Sequence, residues 1–217
     1  MNKLDLTLYL ITDSTGMTDE KIFKTVEEAC RGGVTCVQLR EKDKSGLDYL
    51  NLAIKTKMIT DKYNVPLIID DRVDIAMASD AAGVHVGQSD IPVFAARKLL
   101  GENKIIGASA KTVEQAKKAA AEGADYLGVG AIFPTTTKVV TVITKVETLN
   151  EIAETVDIPV VAIGGLNESN VHVLYKSGAV GIAVVSAIMK SDDPYSAAKI
   201  LKKQVTGNFS KLMKLRN

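Results

Sequence analysis

The chain has 217 residues, 46% of them hydrophobic, and its 27 basic and 26 acidic side chains leave a formal net charge of +1. A charge this small draws in neither nucleic acid nor an anionic membrane at long range, so any charge that matters is local. At this length about 70% of the extended chain's surface can be buried, enough for a full core without disulfide staples in one domain or two.

The opening Met1-Asn2-Lys3-Leu4-Asp5 lacks the basic lead and small-residue cleavage site of a signal peptide, and the apolar run Thr7 to Thr12 reads as a first strand. Ile22, Val26 and Ala29 then recur at helical spacing. Cys30 and Cys36 are the two cysteines; they read as small buried hydrophobes in a reducing compartment, and the expected location is the cytoplasm. The second strand, Thr35 to Arg40, places Gln38 and Arg40 on one face and Val37 and Leu39 on the other, with Glu41 and Lys42 just beyond. Such a group at one strand end looks like an anion site.

A second helix carries Leu47, Leu50, Ile54 and Met58 at helical spacing, and the third strand, Leu67 to Asp70, closes on Asp70, Asp71 and Arg72. The fourth strand, Gly83 to Val86, runs into Gly87-Gln88-Ser89-Asp90. Asp90 is either a helix cap ahead of Pro92 or, with Asp71, one of two strand-top carboxylates suited to Mg²⁺. Strands five to eight fall at Ile105 to Ala108, Tyr126 to Val129, Val160 to Ile163 and Ile182 to Val185. The sixth leads to Phe133-Pro134-Thr135-Thr136-Thr137-Lys138, the seventh to Gly164-Gly165-Leu166-Asn167, and the eighth to Ser186. Glycines there let backbone N–H groups approach a monophosphate. His85, inside a strand, and His172, in a helical segment, read as structural.

One joint recurs at 29–40, 78–87, 120–130 and 175–185: a helical segment stops near a glycine and a short apolar strand follows. The eight strands, apolar on both faces and alternating with helical segments, predict a single-domain (β/α)₈ barrel over 1–217, residues 206–217 forming a short C-terminal extension. The longest uncharged stretch, Ser177 to Met189, is 13 residues, too short to span a bilayer as a helix. No Ser/His/Asp triad, zinc-type Cys/His cluster or Walker loop occurs, which turns the expectation away from nucleophilic and metal-hydroxide hydrolysis.

Together, residues 33–42, 71–74, 83–90, 123–130 and 135–138 resemble, in order and spacing, the thiamine-phosphate synthase (thiamine-phosphate pyrophosphorylase) family, from Leu8 to about Lys199. The resemblance implies a transferase of thiamine biosynthesis. It joins hydroxymethylpyrimidine diphosphate to a thiazole phosphate, with or without an extra carboxylate, by a dissociative, Mg²⁺-assisted route that releases pyrophosphate. It assigns Gln38, Arg40, Glu41, Lys42, Asp70, Ser109 and Lys138 to the pyrimidine diphosphate, with Arg40, Lys42 and Lys138 catalytic, and Asp71 and Asp90 to Mg²⁺. Thr135, Thr136, Thr137, Gly164, Gly165, Val185 and Ser186 would hold the thiazole phosphate.

Three positions depart from the family pattern: Asp70 stands where Asn is usual, Lys111 where a histidine follows Ser-Ala, and the β-branched run Val139 to Thr144 replaces an acidic stretch. A thiazole tautomerase-like isomerase is the second reading, since it shares the barrel and the monophosphate half. A non-catalytic phosphate-binding barrel is the third. Arg40, Lys42, Asp71, Asp90 and Lys138 favour the transferase, because a tautomerase has no diphosphate to hold. The expected partners are small molecules, with no nucleic acid and no membrane, and a homo-oligomer is compatible with the sequence.

Overall fold

In the computed structural model, which describes residues 4–135 and 142–213, the strands close a parallel barrel in sequence order. They are β1 (Leu8–Ile11), β2 (Cys36–Leu39), β3 (Leu67–Asp70), β4 (Gly83–Val86), β5 (Ile105–Ala110), β6 (Tyr126–Gly130), β7 (Val160–Ile163) and β8 (Gly181–Val184). Each pairs with the next, and β1 closes on β8 through Leu8↔Ile182 and Leu10↔Val184. The predicted strands lie within a residue or two of these; β5 runs on through Ser109 and Ala110.

Helices α1 (Asp19–Arg31), α2 (Gly46–Lys62), α3 (Val73–Ala78), α4 (Val93–Leu100), α5 (Val113–Ala121) and α6 (Val146–Thr155) form the outer layer. It is completed by a 3₁₀ turn at Val171–Leu174, a short α7 (Ser186–Met189) and α8 (Pro194–Met213), which continues through position 206. Among the described residues no helix is long and apolar enough to cross a membrane.

Strand alternation sorts the core into two shells. Leu8, Leu10, Val37, Leu39, Ile69, Val84 and Val86 point outward into one cluster with the helices. Tyr9, Ile11, Cys36, Ile68, Tyr126, Val161 and Ala183 point inward and fill the barrel. The large outward cluster supplies most of the apolar burial, which stabilises by roughly 25 cal/mol per Å² removed from water. Cys30 and Cys36 are both buried free thiols, as expected, and burial pushes the Cys30 thiol up to about 12.

Helix α1 follows its sequence periodicity: Ile22, Val26 and Ala29 are buried, and Thr18 caps its first turn by accepting from the Lys21 N–H. Helix α2 does not. Leu47, Ile54 and Met58 are exposed and Leu50 only half-buried, whereas Tyr49, Leu52, Ala53, Thr56 and Thr60 face the barrel. The Tyr49 hydroxyl donates to the Leu39 carbonyl at 2.7 Å and lies 3.2 Å from that of Asp70, so a polar tip decides which face turns in. At the helix-to-strand joints Gly33 and Gly123 take positive φ, while before β4 it is Asp80, φ 51°, that does so.

Candidate active site

The C-terminal strand ends enclose a cavity of about 190 Å³ lined by residues from β1 to β8, among them Gln38, Arg40, Asp70, His85, Ser109, Thr135, Gly164, Gly165, Val185 and Ser186. This is the end at which barrels of this kind carry their chemistry. Its floor is polar. Gln38 Nε2 donates to the Tyr9 hydroxyl at 2.8 Å, the Tyr9 and Tyr126 hydroxyls lie 2.8 Å apart, and His85 Nδ1 lies 3.1 Å from Tyr126. His85 Nε2 in turn lies 2.9 Å from Ser109 Oγ. Burial raises both tyrosine hydroxyls well above their usual range, so they remain protonated links in this chain. The backbone makes room for it: a Cβ at Gly107 would overlap both the Tyr126 ring and the His85 imidazole.

On the β2–β4 side the walls are charged. The Arg40 N–H is held by Thr12 Oγ1 at 3.0 Å, and its guanidinium Nε lies 3.8 Å from Asp70 Oδ2. Lys42 Nζ lies 2.9 Å from the same Asp70 oxygen and also contacts Asp71 Oδ2. Burial works against the Lys42 charge, but Asp71 and Asp70 more than offset it and hold the ammonium above its ordinary range. Burial raises the Asp70 carboxyl against the opposing pull of Lys42.

Asp71 sits at φ 61°, a left-handed conformation uncommon outside glycine, and is fixed there by donating its N–H to the His85 carbonyl at 2.8 Å. Asp90 Oδ2 accepts from the Gly87 N–H at 2.7 Å, and α4 starts without it, Pro92 preceding its first turn. Asp90 is thus a loop-closing carboxylate, not the helix cap. Burial and then the neighbouring Asp71 carboxyl push it up.

Could Asp71 and Asp90 hold Mg²⁺? Among the described residues no cluster of three His, Cys, Asp or Glu is present. Two oxygen donors that repel one another fit an ion that takes its other ligands from water and phosphate, as Mg²⁺ commonly does. At this end of the cavity Arg40 and Lys42 face Asp70, Asp71 and Asp90. Among the described residues these three carboxylates outnumber the two cations that they face, and Lys111 adds a further positive charge to the cavity wall.

The β6–β8 side is built from backbone. Gly164 and Gly165 take φ 100° and 64°, and a Cβ on Gly165 would lie 2.5 Å from the Pro134 carbonyl oxygen. Both positions therefore require glycine for conformation and for space. They line the cavity beside Val185, Ser186 and Thr135. Thr136, Thr137, Lys138 and the start of the Val139 to Thr144 run lie outside the described residues.

Glu41 is the predicted site residue that the fold turns elsewhere. It is buried, accepts from Ser14 Oγ at 2.7 Å, and does not line the cavity. Lys42, Asp71 and Asp90 are likewise not among the residues that line it; Lys42 is tied to it through Asp70 and holds Asp71 on its other side, whereas Lys111 lines the cavity. His85, read from the sequence as structural, bonds within the protein to Tyr126 and Ser109 and also lines the cavity. His172 is exposed on the 3₁₀ turn.

Comparison with known proteins agrees with this geometry. Residues 8–188 match the family model described as thiamine monophosphate synthase. Thiamine-phosphate synthase of Methanobrevibacter smithii is 53% identical over 204 residues, covering 94% of this chain and 97% of that protein. The Clostridium tetani protein of the same name is 51% identical over 207 residues, covering 95% and 97%. Among solved structures, thiamine phosphate pyrophosphorylase from Pyrococcus furiosus superposes with a TM-score of 0.86 at 39% identity, over 94% of this chain and 98% of that one. A 3-hexulose-6-phosphate synthase, at 18% identity and TM-score 0.70, shares the fold.

Proposed function

Because the chain belongs to the thiamine monophosphate synthase family and is an enzyme of thiamine biosynthesis, we propose that it joins hydroxymethylpyrimidine diphosphate to a thiazole phosphate. The observation that carries the reading is that one cavity has a cationic end, with Arg40 in its wall and Lys42 against the wall residue Asp70, and opposite it a glycine-lined end at Gly164, Gly165 and Ser186. One end suits a diphosphate and the other a monophosphate.

In this reading the bond between the pyrimidine methylene carbon and the diphosphate oxygen breaks with its electron pair leaving on pyrophosphate. The thiazole nitrogen then supplies the pair for the new C–N bond. Arg40 and Lys42 balance the charge that gathers on the leaving group, and Lys138 joins them by resemblance to the family. Asp71 and Asp90 would hold Mg²⁺, which when bound supplies further positive charge beside the diphosphate. Gln38, Ser109 and the tyrosine–histidine chain beneath them orient the pyrimidine end, while Thr135 to Thr137, the two glycines, Val185 and Ser186 seat the thiazole phosphate. No protein nucleophile is needed, in keeping with a cavity lined by charge clamps and backbone.

The purified protein, given both substrates and Mg²⁺, should form thiamine phosphate and pyrophosphate in equal amounts. Folded protein that makes neither product would sink the assignment. Turnover of a thiazole phosphate tautomer without pyrimidine diphosphate would replace it with the isomerase reading.

A further inference from the structure

We propose that Asp70 is a resident competitor for the cations that take the diphosphate, an internal counter-ion that the substrate displaces and that returns as pyrophosphate leaves. The inference rests on the reading of the β2–β4 end as the diphosphate site.

Asp70 is 8% exposed and lies in the cavity wall at the last position of β3, its register partner on β4 being His85. Its main-chain carbonyl meets two donors. The carbonyl accepts from the Arg72 N–H at 2.7 Å and lies 3.2 Å from the Tyr49 hydroxyl.

Its Oδ2 is 2.9 Å from Lys42 Nζ and 3.8 Å from Arg40 Nε, so a single oxygen serves both proposed diphosphate cations. An ionised carboxylate offers no donor to a phosphate oxygen; it accepts only. Asp70 therefore offers a phosphate oxygen no hydrogen bond. It occupies the counter-charge position that a phosphate oxygen would take. Lys42 is further engaged by Asp71, which leaves the ammonium between two carboxylates.

Exchange follows from this arrangement. Diphosphate binds by trading Asp70–cation contacts for phosphate–cation contacts, so its net affinity is lower than the same cations would give alone. The same term favours release, because Asp70 regains both partners as pyrophosphate departs.

The test is calorimetric titration of inorganic pyrophosphate into the full-length protein and its Asp70→Asn and Asp70→Ala variants, in chelator and then with Mg²⁺. Thermal melting checks that each variant is folded. With the competing charge removed, both variants should bind pyrophosphate on the order of tenfold more tightly than the parent in chelator, from one unit charge a few ångströms away in a partly solvated site. Product inhibition by pyrophosphate should strengthen by a similar factor. Tighter binding in Asp70→Asn alone would overturn the proposal, because it would reflect the added amide donor. Equal or weaker binding in both variants would overturn it as well. If neither parent nor variants bind pyrophosphate with or without Mg²⁺, the diphosphate reading of this end falls and takes the competitor role with it. A parent that binds while the variants gain nothing leaves the diphosphate reading standing and removes only the role of Asp70.

Discussion

The two ends of the cavity are made of different material. At the β2–β4 end recognition is left to long charged side chains: Lys42 keeps 42% of its side chain exposed, and Arg40 reaches in from the residue just after β2. At the β6–β8 end it is left to main chain, with Gly164 and Gly165 locked at positive φ against Ala131 and Phe133. A side-chain end can share partners, as Lys42 is shared by Asp70 and Asp71, and its strength depends on charge and screening. A backbone end is fixed by packing and tolerates no added atom. This division suits a reaction in which one group must depart and the other must stay still.

The comparison breaks most visibly at Arg40. Arg40→Ala should lower turnover by about 10² to 10³-fold, the scale of losing a positioned charge at the developing anion. The KM for the thiazole phosphate should stay within about twofold, since the backbone end is untouched. Steady-state kinetics with each substrate varied in turn reads both numbers. An equal rise in both KM values would mean that the two ends are not independent.

Gly165→Ala probes the opposite end with a smaller effect. A Cβ there meets the Pro134 oxygen at 2.5 Å and Phe133 Cβ at 2.7 Å, on a backbone at φ 64°. Destabilisation of about 1–3 kcal/mol is expected from forcing a side chain into that conformation and space. The KM for the thiazole phosphate should rise about tenfold, and pyrophosphate affinity should be unchanged. Thermal melts and pyrophosphate titration of the same sample separate the two effects; weakened pyrophosphate binding would join the ends that the comparison keeps apart.

How far the sequence foretold these two ends follows the same divide. Strand phase is a period-two signal, and it placed Gln38 and Arg40 inward and Val37 and Leu39 outward, as found. The glycine pair was visible because glycine is chemically conspicuous. Helix α2 was misleading because its hydrophobic residues do not mark its buried face: Thr56 and Thr60 are fully buried while Leu47 and Met58 lie in solvent. A threonine that packs its methyl against a strand looks polar in a sequence. The place of His85 in the cavity lining is not marked by strand-end position, because the floor of a barrel is supplied by inward residues within the strands. The contact of Ser109 Oγ with His85 is legible only once β4 and β5 are in register.

Glu41 gives the smallest effect and marks where the charged end stops. The resemblance to the family put it with Arg40 and Lys42, but one of its oxygens accepts from Ser14, and the other, Oε1, is buried with no hydrogen-bond partner among the described residues. Burial raises its carboxyl above the ordinary range, with Ser14 pulling the other way. The folded protein therefore keeps this proton to higher pH than the unfolded chain, whose value is about 4.3. Between those two values the native state binds more protons, so stability falls as pH rises and the loss is complete above the folded value. Glu41→Gln keeps an acceptor for Ser14 and removes the charge. The variant should melt with the parent near pH 4, where Glu41 is protonated, and above it at pH 7.5, by about 1 kcal/mol or less. A variant less stable than the parent at pH 7.5 would mean that the Glu41 charge is held by Arg40 or Lys44, and the charged end would then extend past the cavity to the loop after β1.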